Sequence, residues 1–192
     1  MDDQKLELPK ADVYVIKHYA EDTEQTFEYL KNTLNWLYSD GVPSRQYCNM
    51  GTDYLFDSEY FYDGQPIEPS VLKIMKALNS NFSVSMNAVY ASFYEDGESK
   101  LVFRNDKEQQ VDLNQPIFII SYGAPRYFTF KDIETHQEYD FLLEDGDLCI
   151  MSENSHVNYV HGVKKPQNLM NPVSHFHLDA FITGDRSKKR NI

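Results

Sequence analysis

The spacing of hydrophobic and polar positions splits the chain into a part with helical period and a longer part with strand period. Asp12-Val-Tyr-Val-Ile-Lys17 is a β-branched and aromatic run bounded by charge, which predicts a first strand. Asp22-Thr-Glu-Gln25 then has the form of an Asp cap with Gln at the third helical position. Phe27, Leu30, Leu34 and Leu37 follow at helical spacing, so an amphipathic helix is predicted over residues 23–39. Asp40-Gly41 ends it, and Pro43 prevents it from resuming.

Residues 42–68 follow neither period and are expected to be irregular, aromatic and polar. Pro66 and Pro69 introduce a second helix, Ser70 to Leu78, with Val71, Ile74, Met75 and Leu78 on its inner face. After Leu78 the helical period stops. Strands are predicted at 87–94, 100–104, 116–122, 126–131, 138–143 and 147–151, then near 157–161 and 175–183. Glu95-Asp96-Gly97 is a turn between the first two. Two helices followed by about eight short strands predict an α+β domain built on a jelly roll, a double-stranded β-helix. One domain is expected over 1–184, with a basic flexible tail at 185–192.

Composition narrows the function. The 192 residues suffice for one real core. With 14 Tyr and 12 Phe the aromatics favour strands over a helical bundle. A net charge of -12 argues against nonspecific nucleic-acid binding by the whole surface, since phosphate contacts need clustered Lys and Arg. Arg186-Ser-Lys-Lys-Arg190 is a local basic patch or simply a solvated end. Cys48 and Cys149 have no metal-ligand spacing, and a chain of this size needs no disulfide. The acidic start, Met1-Asp-Asp-Gln-Lys, is no signal peptide, and no apolar run reaches the length of a membrane span. An intracellular protein, cytoplasmic or nuclear and without a membrane partner, is expected.

The chemistry-bearing residues centre on Lys100-Leu-Val-Phe-Arg104-Asn-Asp106-Lys-Glu, Gln115-Pro-Ile-Phe-Ile-Ile-Ser-Tyr-Gly123 and His161-Gly162. A jelly roll builds a 2-His-1-carboxylate iron site from a His-x-Asp turn and a distal His. Here the turn is Arg-Asn-Asp, so a cation stands where the first ligand belongs.

Together with Asn87-x-x-x-x-Ser92-x-Tyr94-x-Asp96-Gly97, Pro116-Ile-x-x-x-Ser121-x-Gly123 and Leu143-x-x-Gly146-Asp147-Leu148, these segments make the chain resemble the AlkB family of Fe(II)- and 2-oxoglutarate-dependent dioxygenases. The likeness is to the members that repair alkylated nucleic-acid bases, and it covers roughly residues 40–180. The resemblance implies Asp106 and His161 as two metal ligands, with Arg104 in place of the first His. It implies a co-substrate pocket at Ser92, Tyr94, His175, His177 and Phe181. It implies a nucleotide-recognition lid over 42–68, with Arg45, Tyr47 and Tyr54 as candidates.

Both sites depart from the family pattern. Arg has no lone pair for a metal, and a guanidinium forked onto Asp106 would occupy the site. Ser92 stands for the family's Asn, and the last strand, His175-Phe-His177-Leu-Asp179-Ala-Phe181, holds none of the family's Arg pair. The expectation is a catalytically degenerate AlkB-like protein that binds a nucleic acid or a protein partner and needs no cofactor. The alternative is an active nucleic-acid demethylase using Fe(II) and 2-oxoglutarate. In it His161, Asp106 and one of His175 or His177 would hold the iron.

Simpler readings stay open for each residue. Asp106 and His161 serve as satisfied structural residues if Arg104 pairs with the carboxylate. His156, five residues before His161, points the opposite way if both lie on a strand. His175 and His177 share one strand face and serve equally as inward polar residues. The lid aromatics stack on a flipped base or pack a long loop onto the barrel. Cys149 is expected in the core, and His136 in an exposed turn.

Overall fold

The structure, a computed structural model, describes residues 3–38, 45–56, 60–95, 100–104, 111–112, 114–164 and 174–181. Two sheets face one another. The larger contains β1 (Asp3–Lys5), β2 (Val13–Ile16), β3 (Leu37–Tyr38), β4 (Arg45–Met50), β7 (Ala88–Tyr94), β9 (Ile117–Gly123), β12 (Leu148–Met151) and β14 (His175–Phe181). Their order is β1-β2-β12-β9-β14-β7-β4-β3. The smaller contains β8 (Leu101–Arg104), β10 (Arg126–Asp132), β11 (Glu138–Leu143) and β13 (Tyr159–Val163), in the order β11-β10-β13-β8. β5 (Tyr54–Phe56) and β6 (Tyr60–Tyr62) pair as a separate ribbon. The α+β jelly roll is the observed architecture.

Strand alternation assigns each side of the large sheet its partner. Along β14, Phe176, Leu178 and Ala180 join the core formed with α1 (Thr23–Thr33) and α2 (Pro69–Phe82). Phe27 of α1 stacks on Phe176 with ring centroids 5.1 Å apart, and Val71, Met75 and Leu78 of α2 complete this layer. The opposite face joins the small sheet through Tyr47, Tyr90, Tyr94, Ile119 and Cys149 on one side and Phe128, Phe130 and Tyr159 on the other. The jelly-roll interior therefore lies between the sheets, with the helices outside it.

Several expectations are corrected. The first helix stops at Thr33, because Leu34 turns extended and residues 37–38 pair with β4 as a strand. Backbone pairing with β4 overrides the apolar period at Leu37. Asp22 is left-handed (φ 49°) and makes no side-chain cap; Thr23 Oγ1 instead donates to Asp145 Oδ2 at 2.6 Å. Residues 42–68 are not irregular throughout: β4, β5 and β6 lie within them. The second helix runs on to Phe82 and is capped by Glu68, whose carboxylate accepts from the Ser70 and Val71 amides at 2.8 and 3.1 Å. His156 lies not on a strand but in a short helix, α3 (Glu153–Asn158), where it is buried. Cys48 and Cys149 are buried free thiols, and His136 is exposed. Asp40-Gly41, Pro43 and the tail at 185–192 lie outside the described residues.

Candidate ligand pocket in the jelly-roll interior

The inner face of the large sheet carries two consecutive polar rows. Arg45, Tyr94, His175 and Gly123 are register neighbours across β4, β7, β14 and β9. The next inward row is Tyr47, Ser92, His177 and Ser121. All of these except the half-buried Gly123 are buried. The His175 and His177 rings stand perpendicular, 4.3 Å apart, and Tyr94 lies 5.9 and 6.0 Å from them.

The small sheet closes the pocket. Arg126 opens β10 and has no solvent exposure; its guanidinium carbon lies 5.8 Å from the centre of the Tyr94 ring. Two residues on, the Phe128 ring stands 6.0 Å from His177 and 5.2 Å from His161, nearly parallel to the latter. His161 on β13 is the register partner of Arg104 on β8. A bulge follows at Gly162, where a Cβ would meet Leu101 O at 2.8 Å, so only glycine lets the two strands approach there.

Burial sets the protonation of the pocket. It pushes His175 well below the usual imidazole range, helped by His177 and Arg126. It pushes His177 down to about 3, helped by Arg126 and His161. Both rings are therefore neutral at ordinary pH, and each offers one donor and one acceptor nitrogen. Ser121 Oγ and His177 Nε2 are buried and make no hydrogen bond among the described residues.

The sequence and fold match known proteins. The family model described as the 2OG-Fe(II) oxygenase superfamily matches residues 42–187. The chain belongs to that superfamily. Within it the chain is AlkB-like. It is 22% identical over 166 residues to the DNA oxidative demethylase ALKBH2 of Bos taurus, covering 79% of this chain but only 59% of that relative's length. The structure of OsALKBH1 superposes with a TM-score of 0.66 at 16% identity, covering 93% of this chain and all of that one.

Ser92, Tyr94, His175 and His177 lie together on the two inward rows of the large sheet. Phe181 lies at the other end of β14, in the apolar core. Arg45 and Tyr47 are strand residues buried in the interior; Tyr47 stacks on Tyr90 at 5.9 Å, and Arg45 Nη2 donates to the Tyr90 hydroxyl at 3.3 Å. Tyr54 is on the β5–β6 ribbon, with its side chain outside the described residues. Asp106 also lies outside them, and so does its fork with Arg104.

Sequence reasoning missed Arg126. β14 carries no Arg, as its sequence states, but β10 delivers a guanidinium to the same pocket from the facing sheet. The alternation Arg126-x-Phe128-x-Phe130 was the available signal: it puts Arg126 in register with two core rings.

Among the described residues no complete donor set for iron is assembled. The rung opposite His161 holds a guanidinium, which cannot ligate. Among the described residues no group of three or more His, Cys, Asp or Glu could hold a metal ion. No described helix is long and apolar enough to cross a membrane.

Proposed function

We propose that this AlkB-like protein acts by binding rather than by oxidation. The carrying observation is Arg104 on the rung opposite His161. A permanent cation there supplies no electron pair and repels a divalent ion from its neighbour. The partner is a nucleic acid or a protein. A nucleic-acid base is the first candidate, because the ALKBH2 relative is by name a DNA demethylase and such enzymes take the base out of the stack. The net charge of -12 restricts contact with a phosphate backbone to local patches.

The test is titration calorimetry with Mn(II) and 2-oxoglutarate, paired with a succinate-release assay on a methylated oligonucleotide under Fe(II). We expect no micromolar metal binding and no turnover. Metal-dependent succinate release would overturn the reading in favour of an active demethylase with His161, Asp106 and His175 or His177 as ligands. The placement of Phe128 against both His161 and His177 is the observation on which that second reading rests.

A further inference from the structure

We infer that the cleft between α1, α2 and the outer face of the large sheet binds an elongated aliphatic amine in its ammonium form. Its floor residues belong to the helix-side core, on the far side of the sheet from the jelly-roll interior. The inference is independent of the binding reading above.

The cleft measures about 650 Å³, within the roughly 300–1,000 Å³ range of small-molecule sites. Ile120 and Tyr122 of β9 form its floor. The segment from His18 to Asp22 and the α2 face from Ser70 to Asn81 form its walls. Tyr122 is only 1% exposed, yet its hydroxyl makes no hydrogen bond among the described residues. Burial and the nearby Asp145 push this hydroxyl above its ordinary value, so it stays protonated and uncharged. Among the described residues Asp145 itself is held by neutral donors, the Thr23 hydroxyl and the Gly123 amide, so its charge is not cancelled. Tyr19, close enough to add to the same shift, accepts from Asn81 Nδ2 at 2.8 Å.

Charge selects the ligand class. Glu21 and Asp22 line the cleft and Asp145 stands near Tyr122. Against these three carboxylates stand one ammonium, Lys73, and the partial positive charge of the α1 N-terminus. An anion is disfavoured in that field. An ammonium can donate to the phenol oxygens and lie against the tyrosine rings. Lys73 precedes Asn81 on α2 by about 12 Å along the helix axis, so the opposing cation stands at the other end from Tyr19. Between them Ile74, Ala77 and Ile120 offer an apolar track for a carbon chain.

The experiment is calorimetry on the full chain at about pH 8, where imidazoles are neutral, with hexylamine, hexanol and hexanoate as separate probes. One chain length with three head groups isolates the charge. We expect hexylamine to bind about tenfold or more tightly than hexanoate, with hexanol between them. Tyr122→Phe removes only an oxygen that no described residue holds, so its urea midpoint should stay while its hexylamine affinity falls several-fold. Asp22→Asn keeps a residue type that tolerates the left-handed backbone (φ 49°) and should weaken binding, whereas Lys73→Gln should strengthen it. This pair keeps the test valid if Tyr122→Phe alters the fold. No hexylamine binding at millimolar concentration overturns the inference. So does hexanol or hexanoate binding as tightly as hexylamine. Unchanged affinity in folded Tyr122→Phe overturns it by marking plain attraction to the acidic surface. A shift in the same direction for Asp22→Asn and Lys73→Gln overturns it as well.

Discussion

Arg104 and His161 occupy one rung of the β8–β13 ladder, a guanidinium beside an imidazole. Replacing the cation tests what that rung is for. Arg104→His adds a lone pair and removes a repelling charge, while Arg104→Gln removes only the charge. We expect Mn(II) affinity, measured by calorimetry, to rise about tenfold or more in Arg104→His, or ~1.4 kcal/mol. Arg104→Gln should gain much less. Equal affinities in all three proteins would place the rung away from any metal position.

The two pocket histidines make stability depend on pH between neutral and mildly acid conditions. Both folded-state values lie below the ordinary 6.5, His177 at about 3. The unfolded chain therefore binds more protons than the native one once the pH falls below about 6.5, so stability falls on acidification. Above that pH the two states bind alike and the effect vanishes. The slope is at most about 1.4 kcal/mol per pH unit for each ring. Urea midpoints at pH 7 and 5 should drop more steeply for the wild type than for His177→Gln. A parallel decline would show that His177 does not carry the dependence.

The sequence made the sheet legible and the pocket only partly so. Strand period and turn residues place β7 through β14 to within a residue or two, because each run is short, apolar and bounded by Gly, Pro, Asn or Asp. The first helix was overextended because nothing before Asp40 breaks its period; pairing with β4 decides the matter, and it is non-local. His156 was misplaced because a six-residue helix has too few positions to show a period. Tyr94, His175 and His177 are grouped by the family resemblance, and strand parity adds only that His175 and His177 share one face. Alternation with Phe128 and Phe130 marks Arg126 as inward on its own strand, but which residues of the other sheet it faces is a non-local matter that parity does not carry.

The β9–β10 corner allows a direct test of backbone strain. Gly123 has φ 86°, and a Cβ there would meet Ser174 O at 2.7 Å and the Phe27 ring at 2.9 Å. The left-handed conformation alone costs a non-glycine residue about 1–2 kcal/mol, and the clash with backbone adds to it. Gly123→Ala should destabilise the fold by about 2 kcal/mol or more in urea denaturation. A loss below about 0.5 kcal/mol would mean that the corner relaxes freely.

Asp147 explains a second motif without invoking a ligand. It is fully buried on the turn before β12, and it accepts from Lys17 Nζ at 2.6 Å, the Glu144 amide at 2.8 Å and the His18 amide at 3.2 Å. The His18 contact holds a left-handed residue (φ 50°) in place. Removing the carboxylate strands two amides and leaves the ammonium to Glu144 Oε2 alone at 3.0 Å, whereas removing the ammonium leaves a carboxylate that keeps both amides. Asp147→Ala should therefore cost about 3–5 kcal/mol, the range for breaking a buried pair. Lys17→Met should cost roughly 1–3 kcal/mol, since the Lys17 side chain is 27% exposed and water screens the pair. Burial alone would lower the Lys17 value, but Asp147 and Glu144 raise it above 10.5, so the ammonium's contribution is present at neutral pH and is lost as the pH rises through that raised value. Chemical denaturation at pH 7 ranks the two variants. If Lys17→Met proves the more damaging, the turn is held by the ion pair and not by the amides.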